Sequence, residues 1–148
     1  MTDKHDEQLA FGNSKAIVTN QPGIHEKLEE VVSKHMTHRF QKPYQQHTVE
    51  AFEEVERLVK AHQGEVILDA CCGVGQSTRL LAKQNPQALV IGVDKSDNRI
   101  TRNVEEVATE EGEQVDNYVL VRADLNDFYR LVAKANWPIK KHYILYPN

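Results

Sequence analysis

Apolar and polar positions along this chain predict short strands that alternate with helices. Four apolar runs bounded by turn-forming or charged residues predict strands over 66–69, 89–93, 118–121 and 142–146. Between them, apolar residues recur every three or four positions and predict helices over 77–84, over 97–111 and from Asn126 onward. Ser96 is the expected N-cap of the second of these helices. This alternation predicts an α/β fold with a doubly wound parallel sheet.

The residues that precede the first strand form two further segments. Residues 1–22 are polar and without sustained periodicity, which predicts a flexible polar arm. Residues 23–62 predict two N-terminal helices, the second capped by Thr48. Apolar positions at helical spacing define one face of each helix; they are Ile24, Leu28, Val31, Val32 and Met36 in the first, and Val49, Phe52, Val55 and Val59 in the second. Residues 63–148 then form the main domain, in which Trp137 is expected to anchor the loop before the last strand.

Candidate chemistry concentrates at the ends of the first three predicted strands. The first strand ends in Asp69 and runs into a small-residue turn with Gly73 and Gly75, where a ligand could approach the backbone closely. Glycine pairs also occur in ordinary turns, so the pair alone does not identify a ligand site. The acids at the other strand ends strengthen that prediction. Asp94 ends the second strand, where a carboxylate can accept both hydroxyl hydrogens of a ribose. Asp124 follows the third strand and could bind an adenine amino group, or it could cap the next helix.

Charge and residue size around the turn distinguish between nucleotide ligands. The dinucleotide fingerprint needs glycine or alanine where this chain has Thr78. Asp69 beside the turn would repel a pyrophosphate. The pattern therefore disfavours a dinucleotide.

A strand that ends in aspartate, followed two residues later by Cys-Gly-x-Gly, resembles motif I of the S-adenosylmethionine-dependent methyltransferases. More narrowly, residues 23–148 resemble the tRNA (guanine-N7-)-methyltransferase family and its bacterial relatives. Six segments carry this resemblance: Gly23-Ile24-His25, Arg39-Phe40-Gln41-Lys42-Pro43, the turn over 68–78, Gly92-Val93-Asp94-Lys95-Ser96, Arg122-Ala123-Asp124 and Leu145-Tyr146-Pro147-Asn148.

The resemblance implies a Rossmann-like methyltransferase fold with strand order 3-2-1-4, S-adenosylmethionine as cofactor, and methyl transfer to a base in tRNA, with guanine N7 as the leading target. It also implies a set of cofactor-binding residues: Asp69, Cys71, Gly73, Gly75, Asp94, Lys95, Ala123, Asp124 and Leu125. Asn148 matches a catalytic aspartate in a Phe-Pro-Asp-Pro-Trp-like motif of the family. An asparagine there is similar instead to the Asn-Pro-Pro-Tyr motif of amino-group methyltransferases, so the position leaves the methyl acceptor open.

Alternatives to an active tRNA methyltransferase stay open at this point. Folds of the resembled class have seven strands and only four are predicted, so we expect a chain truncated after motif IV. A cofactor-binding module or fragment without turnover is therefore the main alternative; an amino-group methyltransferase and a nicotinamide-dependent oxidoreductase are weaker ones. The fourth strand would be an exposed edge, which favours self-association.

Composition and charge limit which partners and which cellular compartment we expect. The net charge of −4 gives no global basic field, so RNA contact would need a local patch. One basic cluster offers such a patch, although a solvated helix end explains it equally well; it comprises Lys34, His35, His38, Arg39 and Lys42. The two histidines lack a third ligand, and we expect no metal. No apolar stretch approaches a membrane span, the start lacks a signal-peptide pattern, and the only cysteines are the adjacent Cys71 and Cys72. We therefore expect a reduced cytoplasmic protein without a membrane partner.

Overall fold

The computed structural model describes residues 18, 20–103, 107, 112 and 114–145. Its helices are α1 (Leu28–Thr37), α2 (Gln46–His62), α3 (Gln76–Gln84), α4 (Asp97–Thr101) and α5 (Leu125–Ala135), and its strands are β1 (Val66–Ala70), β2 (Leu89–Asp94), β3 (Tyr118–Arg122) and β4 (Ile139–Ile144). The chain divides into two compact units between Lys42 and Pro43. In the first unit, α1 confirms the first predicted helix, although it starts at Leu28 and buries none of its residues. All other elements belong to the second unit.

The second unit is built on a four-stranded parallel sheet with the order β3-β2-β1-β4, which confirms the predicted order. In register, Ala70 of β1 lies beside Val93 of β2, which lies beside Val121 of β3. The carboxyl ends of these three strands therefore meet at one edge of the sheet. That edge carries the turns in which the candidate site residues lie.

Both faces of the sheet are covered, because alternate residues of a buried strand point to opposite sides. Leu68 belongs to the larger core cluster with residues of α2 and α5, while Ile67 packs with Leu81 of α3. In the larger cluster the ring of Trp137 stacks on Phe52 with a centroid distance of 5.0 Å, and Phe128 packs edge-on against both rings. Trp137 is thus the packing anchor that the sequence predicts.

Two helix caps agree with the sequence predictions and one differs. Ser96 caps α4 as predicted, since its hydroxyl accepts a hydrogen bond from the N–H of Arg99 at 3.4 Å. The prediction that Thr48 caps α2 is wrong, because α2 begins at Gln46 and Thr48 is buried inside it. The last helix begins at Leu125 rather than Asn126, and Asp124 is its N-cap, which confirms one of the two roles expected for this residue.

Two further predictions concern element bounds. The last strand spans Ile139–Ile144 and not 142–146. Of the helix predicted over 97–111, residues 104–106 and 108–111 lie outside the described residues, as does nearly all of the predicted arm. Within the part of the chain that is described, no helix is both long enough and apolar enough to span a membrane.

Candidate ligand-binding site

The turn from β1 into α3 uses left-handed backbone at three positions: Cys71 (φ 58°), Gly73 (φ 59°) and Gly75 (φ 86°). The two glycines have different surroundings. A Cβ atom on Gly75 would lie 2.6 Å from Cδ1 of Leu120, so this position packs directly on β3. A Cβ atom on Gly73 would meet no heavy atom of the described residues within 4 Å. Gly75 therefore closes the turn, and Gly73 leaves one side of the backbone open to a ligand.

Asp69 lies beneath this turn and is fully buried. Its Oδ2 accepts hydrogen bonds from the hydroxyls of Ser77 and Thr78, both at 2.7 Å, which ties the first turn of α3 to β1. Its Oδ1 is also buried and has no hydrogen-bond partner among the described residues. Asp69 thus ties the turn to β1, and its carboxylate is not exposed to a ligand.

Asp94 organises the same turn from the end of β2. Its Oδ2 accepts the N–H of Gly73 at 3.0 Å, and its Oδ1 accepts the N–H of Ser96 at 2.8 Å. Arg99 forms an ion pair with it, with Nη1 3.7 Å from Oδ2. The Asp94 side chain is 3% exposed and that of Arg99 is 44% exposed. Since a carboxylate has about four lone-pair positions, Asp94 keeps acceptor capacity beyond its two backbone bonds.

Two depressions of about 320 Å³ each lie along this edge of the sheet. The first is lined by Cys71, Asp94, Lys95, Arg99, Asp124, Leu125 and Asn126. The second is lined by Cys71, Cys72, Gly73, Val74, Gln76, Ser77, Arg99 and Leu145. Cys71 and Arg99 line both, so the two depressions adjoin, and we call them together the edge groove. Its combined size is in the range of small-molecule sites in proteins.

The edge groove brings together six of the predicted cofactor-binding residues: Cys71, Gly73, Asp94, Lys95, Asp124 and Leu125. The other three, Asp69, Gly75 and Ala123, are buried beneath it. Asn148, the predicted catalytic residue, lies outside the described residues.

Residues 63–148 match the protein-family model Methyltransf_4, "Putative methyltransferase". The chain belongs to this methyltransferase family. No curated protein matches the chain. The matched region contains all four strands and every residue of the edge groove, and the parallel sheet is consistent with a Rossmann-like methyltransferase fold.

Sequence reasoning missed the arginines that support this methyltransferase groove. Arg79 is 2% exposed, and its Nη1 donates to the carbonyl of Val74 at 3.1 Å and to Oδ1 of Asn103 at 2.6 Å. It therefore holds the back of the glycine turn. Arg99 lines both depressions of the edge groove. Charged residues on predicted helices suggest solvent-facing positions, so the sequence contained no signal for either role.

The two adjacent cysteines of the methyltransferase have different environments. Burial, followed by the negative charges of Asp69 and Asp94, raises the pKa of Cys72 to about 12, so its thiol stays protonated. Cys71 is half-buried and lines the edge groove. Burial, and then the proximity of Cys71, raises the pKa of Tyr129, whose hydroxyl lies 3.0 Å from Nε2 of His142. Among the described residues there is no group of three or more ligands that could hold a metal ion.

Proposed function

We propose that this methyltransferase uses S-adenosylmethionine and transfers its methyl group to a base in tRNA, with guanine N7 as the leading target. The observation that carries the cofactor proposal is the position of Asp94. It holds the open glycine turn through the N–H of Gly73, lines the edge groove and retains acceptor capacity for ribose hydroxyls. For the acceptor, the support is the family, whose members are tRNA guanine-N7 methyltransferase-like enzymes.

The acidic groups at the edge groove fit this cofactor. S-adenosylmethionine carries an ammonium and a sulfonium group, and two carboxylates, Asp94 and Asp124, line the groove while Asp69 lies beneath it. In a low-dielectric site such acids favour a cationic ligand. Lys95 and Arg99 also line the groove, however, and would suit a phosphate. A nicotinamide dinucleotide is therefore the competitor that an experiment must include.

When bound, S-adenosylmethionine supplies an electrophilic methyl group on its sulfonium. Asp94 would accept the ribose hydroxyls, and Asp124 and Leu125 would border the base. Gly73 would allow the ligand to lie against the backbone. A guanine N7 presents a lone pair and has no proton to remove, so positioning and charge placement would supply the rate. Asn148 remains a predicted acceptor-side residue; its amide oxygen could also orient an amine, which keeps amino-group transfer as a second candidate.

Calorimetric titration with S-adenosylmethionine, S-adenosylhomocysteine, NAD and NADP tests the cofactor. We expect both methionine-derived ligands to bind and both dinucleotides to bind at least tenfold more weakly. Preferential binding of NAD or NADP would overturn the cofactor proposal.

Transfer from methyl-labelled S-adenosylmethionine to bulk tRNA tests the acceptor. Strand cleavage by borohydride and aniline then reports whether guanine N7 carries the label. Label in tRNA without this cleavage would move the target to another atom. Cofactor binding without any transfer would favour the binding-module alternative.

We also propose that tRNA phosphates contact the basic cluster of the first unit, whose side chains are exposed; these are Lys34, His35, His38, Arg39 and Lys42. Replacing both Arg39 and Lys42 by Gln should weaken tRNA binding and reduce its salt dependence. The affinity for S-adenosylhomocysteine should stay unchanged, because neither residue lines the edge groove. Unchanged tRNA binding by the double variant would exclude this cluster as the contact.

A further inference from the structure

One wall of the edge groove consists of Asp124, Leu125 and Asn126. A residue outside the region that matches the family holds this wall in place. Thr48 lies in α2, upstream of residue 63 where the match begins, and is fully buried. Its Oγ1 accepts a hydrogen bond from the backbone N–H of Asp124 at 3.0 Å. A hydroxyl in the helix that precedes β1 thus fixes the backbone of a groove-lining residue.

A second contact ties the same two regions together. The backbone N–H of Gln45, which precedes α2, donates to Oδ2 of Asp127 at 2.9 Å. Asp127 is 1% exposed, and its own N–H donates to Oδ1 of Asp124 at 3.0 Å. Asp124 is therefore restrained at both its N–H and its carboxylate, and both restraints lead back to the start of α2.

We propose that Thr48 is a positioning residue for the ligand of the edge groove. It acts through the backbone of Asp124 and does not line the groove itself. Without its hydroxyl, the N–H of Asp124 loses its acceptor and the segment between β3 and α5 can leave the orientation that meets the ligand. The free energy of ligand binding must then include the cost of ordering that wall again. The identity of the ligand rests on the proposed function. The restraint on Asp124 does not.

The test compares three variants of the full chain: Thr48→Val, which keeps the shape and removes the hydroxyl; Thr48→Ser, which keeps the hydroxyl; and Val55→Ala. Val55 is a buried core residue of the same helix and does not line the groove, so its variant controls for a general loss of stability. The probe is S-adenosylhomocysteine, titrated at a temperature at which all variants are folded. Hydrogen exchange of the Asp124 amide is measured without ligand.

We expect Thr48→Val to bind roughly 3- to 10-fold more weakly than the wild type, the effect of one lost hydrogen bond. Thr48→Ser should recover most of the affinity, and Val55→Ala should bind as the wild type does. The Asp124 amide should exchange faster in Thr48→Val than in Val55→Ala. Equal affinities of Thr48→Val and Val55→Ala would overturn the positioning role. If the wild type does not bind the probe, the proposed function fails, and unchanged amide exchange in Thr48→Val would separately overturn the restraint.

Discussion

Thr78 of α3 occupies the space that a side chain at Gly92 of β2 would need, because a Cβ atom on Gly92 would collide with Oγ1 of Thr78. The same hydroxyl donates to Oδ2 of Asp69 at 2.7 Å. In dinucleotide-binding folds a small residue on the helix permits close packing of helix and strand. Here the glycine is on the strand and the larger, hydrogen-bonding residue is on the helix.

This fit predicts that Gly92→Ala destabilises the protein. The added methyl group would also crowd Leu120 and Cys72, so we expect a loss of about 1–3 kcal/mol in the free energy of unfolding. Urea denaturation measures this loss. Gly23→Ala is the control, because a Cβ atom there meets no described atom within 4 Å. Equal stability of the two variants would contradict the close packing of Thr78 on Gly92.

Asp94→Ala should weaken binding of S-adenosylhomocysteine by about 1.5–3 kcal/mol, or 10- to 150-fold, because it removes the charged group that we propose as acceptor for the ribose hydroxyls. Calorimetry on folded protein measures the affinity. The variant should also melt at a lower temperature, since the N–H groups of Gly73 and Ser96 lose their acceptor. Asp97→Ala, which removes the same charge from an exposed site on α4, should bind normally. An unchanged affinity in Asp94→Ala would exclude the ribose from this strand end.

The two glycines of the turn should respond differently to alanine. Gly73→Ala should cost about 1–2 kcal/mol for its left-handed backbone and should abolish ligand binding, since the methyl group enters the open side of the turn. Gly75→Ala adds a collision with Leu120, so its total loss should be about 2–5 kcal/mol. Thermal unfolding and calorimetry together separate the two effects. Normal ligand binding by a folded Gly73→Ala protein would mean that the ligand does not lie against the turn.

The pKa of Cys72 predicts a loss of stability in alkaline solution. A thiol in the unfolded chain titrates from about pH 8.5–9, whereas in the folded protein the pKa of Cys72 is about 12. Between these values the unfolded state has lost a proton that the folded state keeps, so the free energy of unfolding falls as the pH rises. The full loss by pH 12 is on the order of 4 kcal/mol.

Urea denaturation between pH 8 and pH 10.5 measures this slope. Cys72→Ala should flatten it relative to the wild type. Parallel pH profiles for the wild type and Cys72→Ala would show that the Cys72 thiol does not titrate differently in the two states.

The first three strands could be predicted because each is a continuous apolar run, although only β1 and β2 are buried and β3 is mostly half-buried. The last strand begins three residues earlier than predicted, at Ile139. It lies at the edge of the described sheet, where Lys140 and Lys141 remain exposed, and these charges interrupt the apolar pattern. Periodicity alone therefore misplaces the start of this strand, whereas β3, at the other edge, has no charge inside its apolar run and is placed well.

Most of the candidate site follows from strand ends, which the sequence places well, but its supporting contacts do not. Thr48 has the residue type of an N-cap, and only the packing of α2 on α5 shows that its hydroxyl serves Asp124. Asp124 itself caps α5, which is one of the two roles its position allowed. The buried Arg79 could not be predicted, because its hydrogen-bond partners depend on how the turn and α4 come together.

The stacked rings of Phe52 and Trp137 have an optical consequence. Trp137 is the only tryptophan in the sequence, so fluorescence excited at its absorption edge comes from one ring held between α2 and α5. Separation of α2 from the sheet would expose that indole to water and shift its emission to longer wavelength. The protein therefore contains an intrinsic reporter for the attachment of the helix that carries Thr48, and no dye or label is needed to follow it.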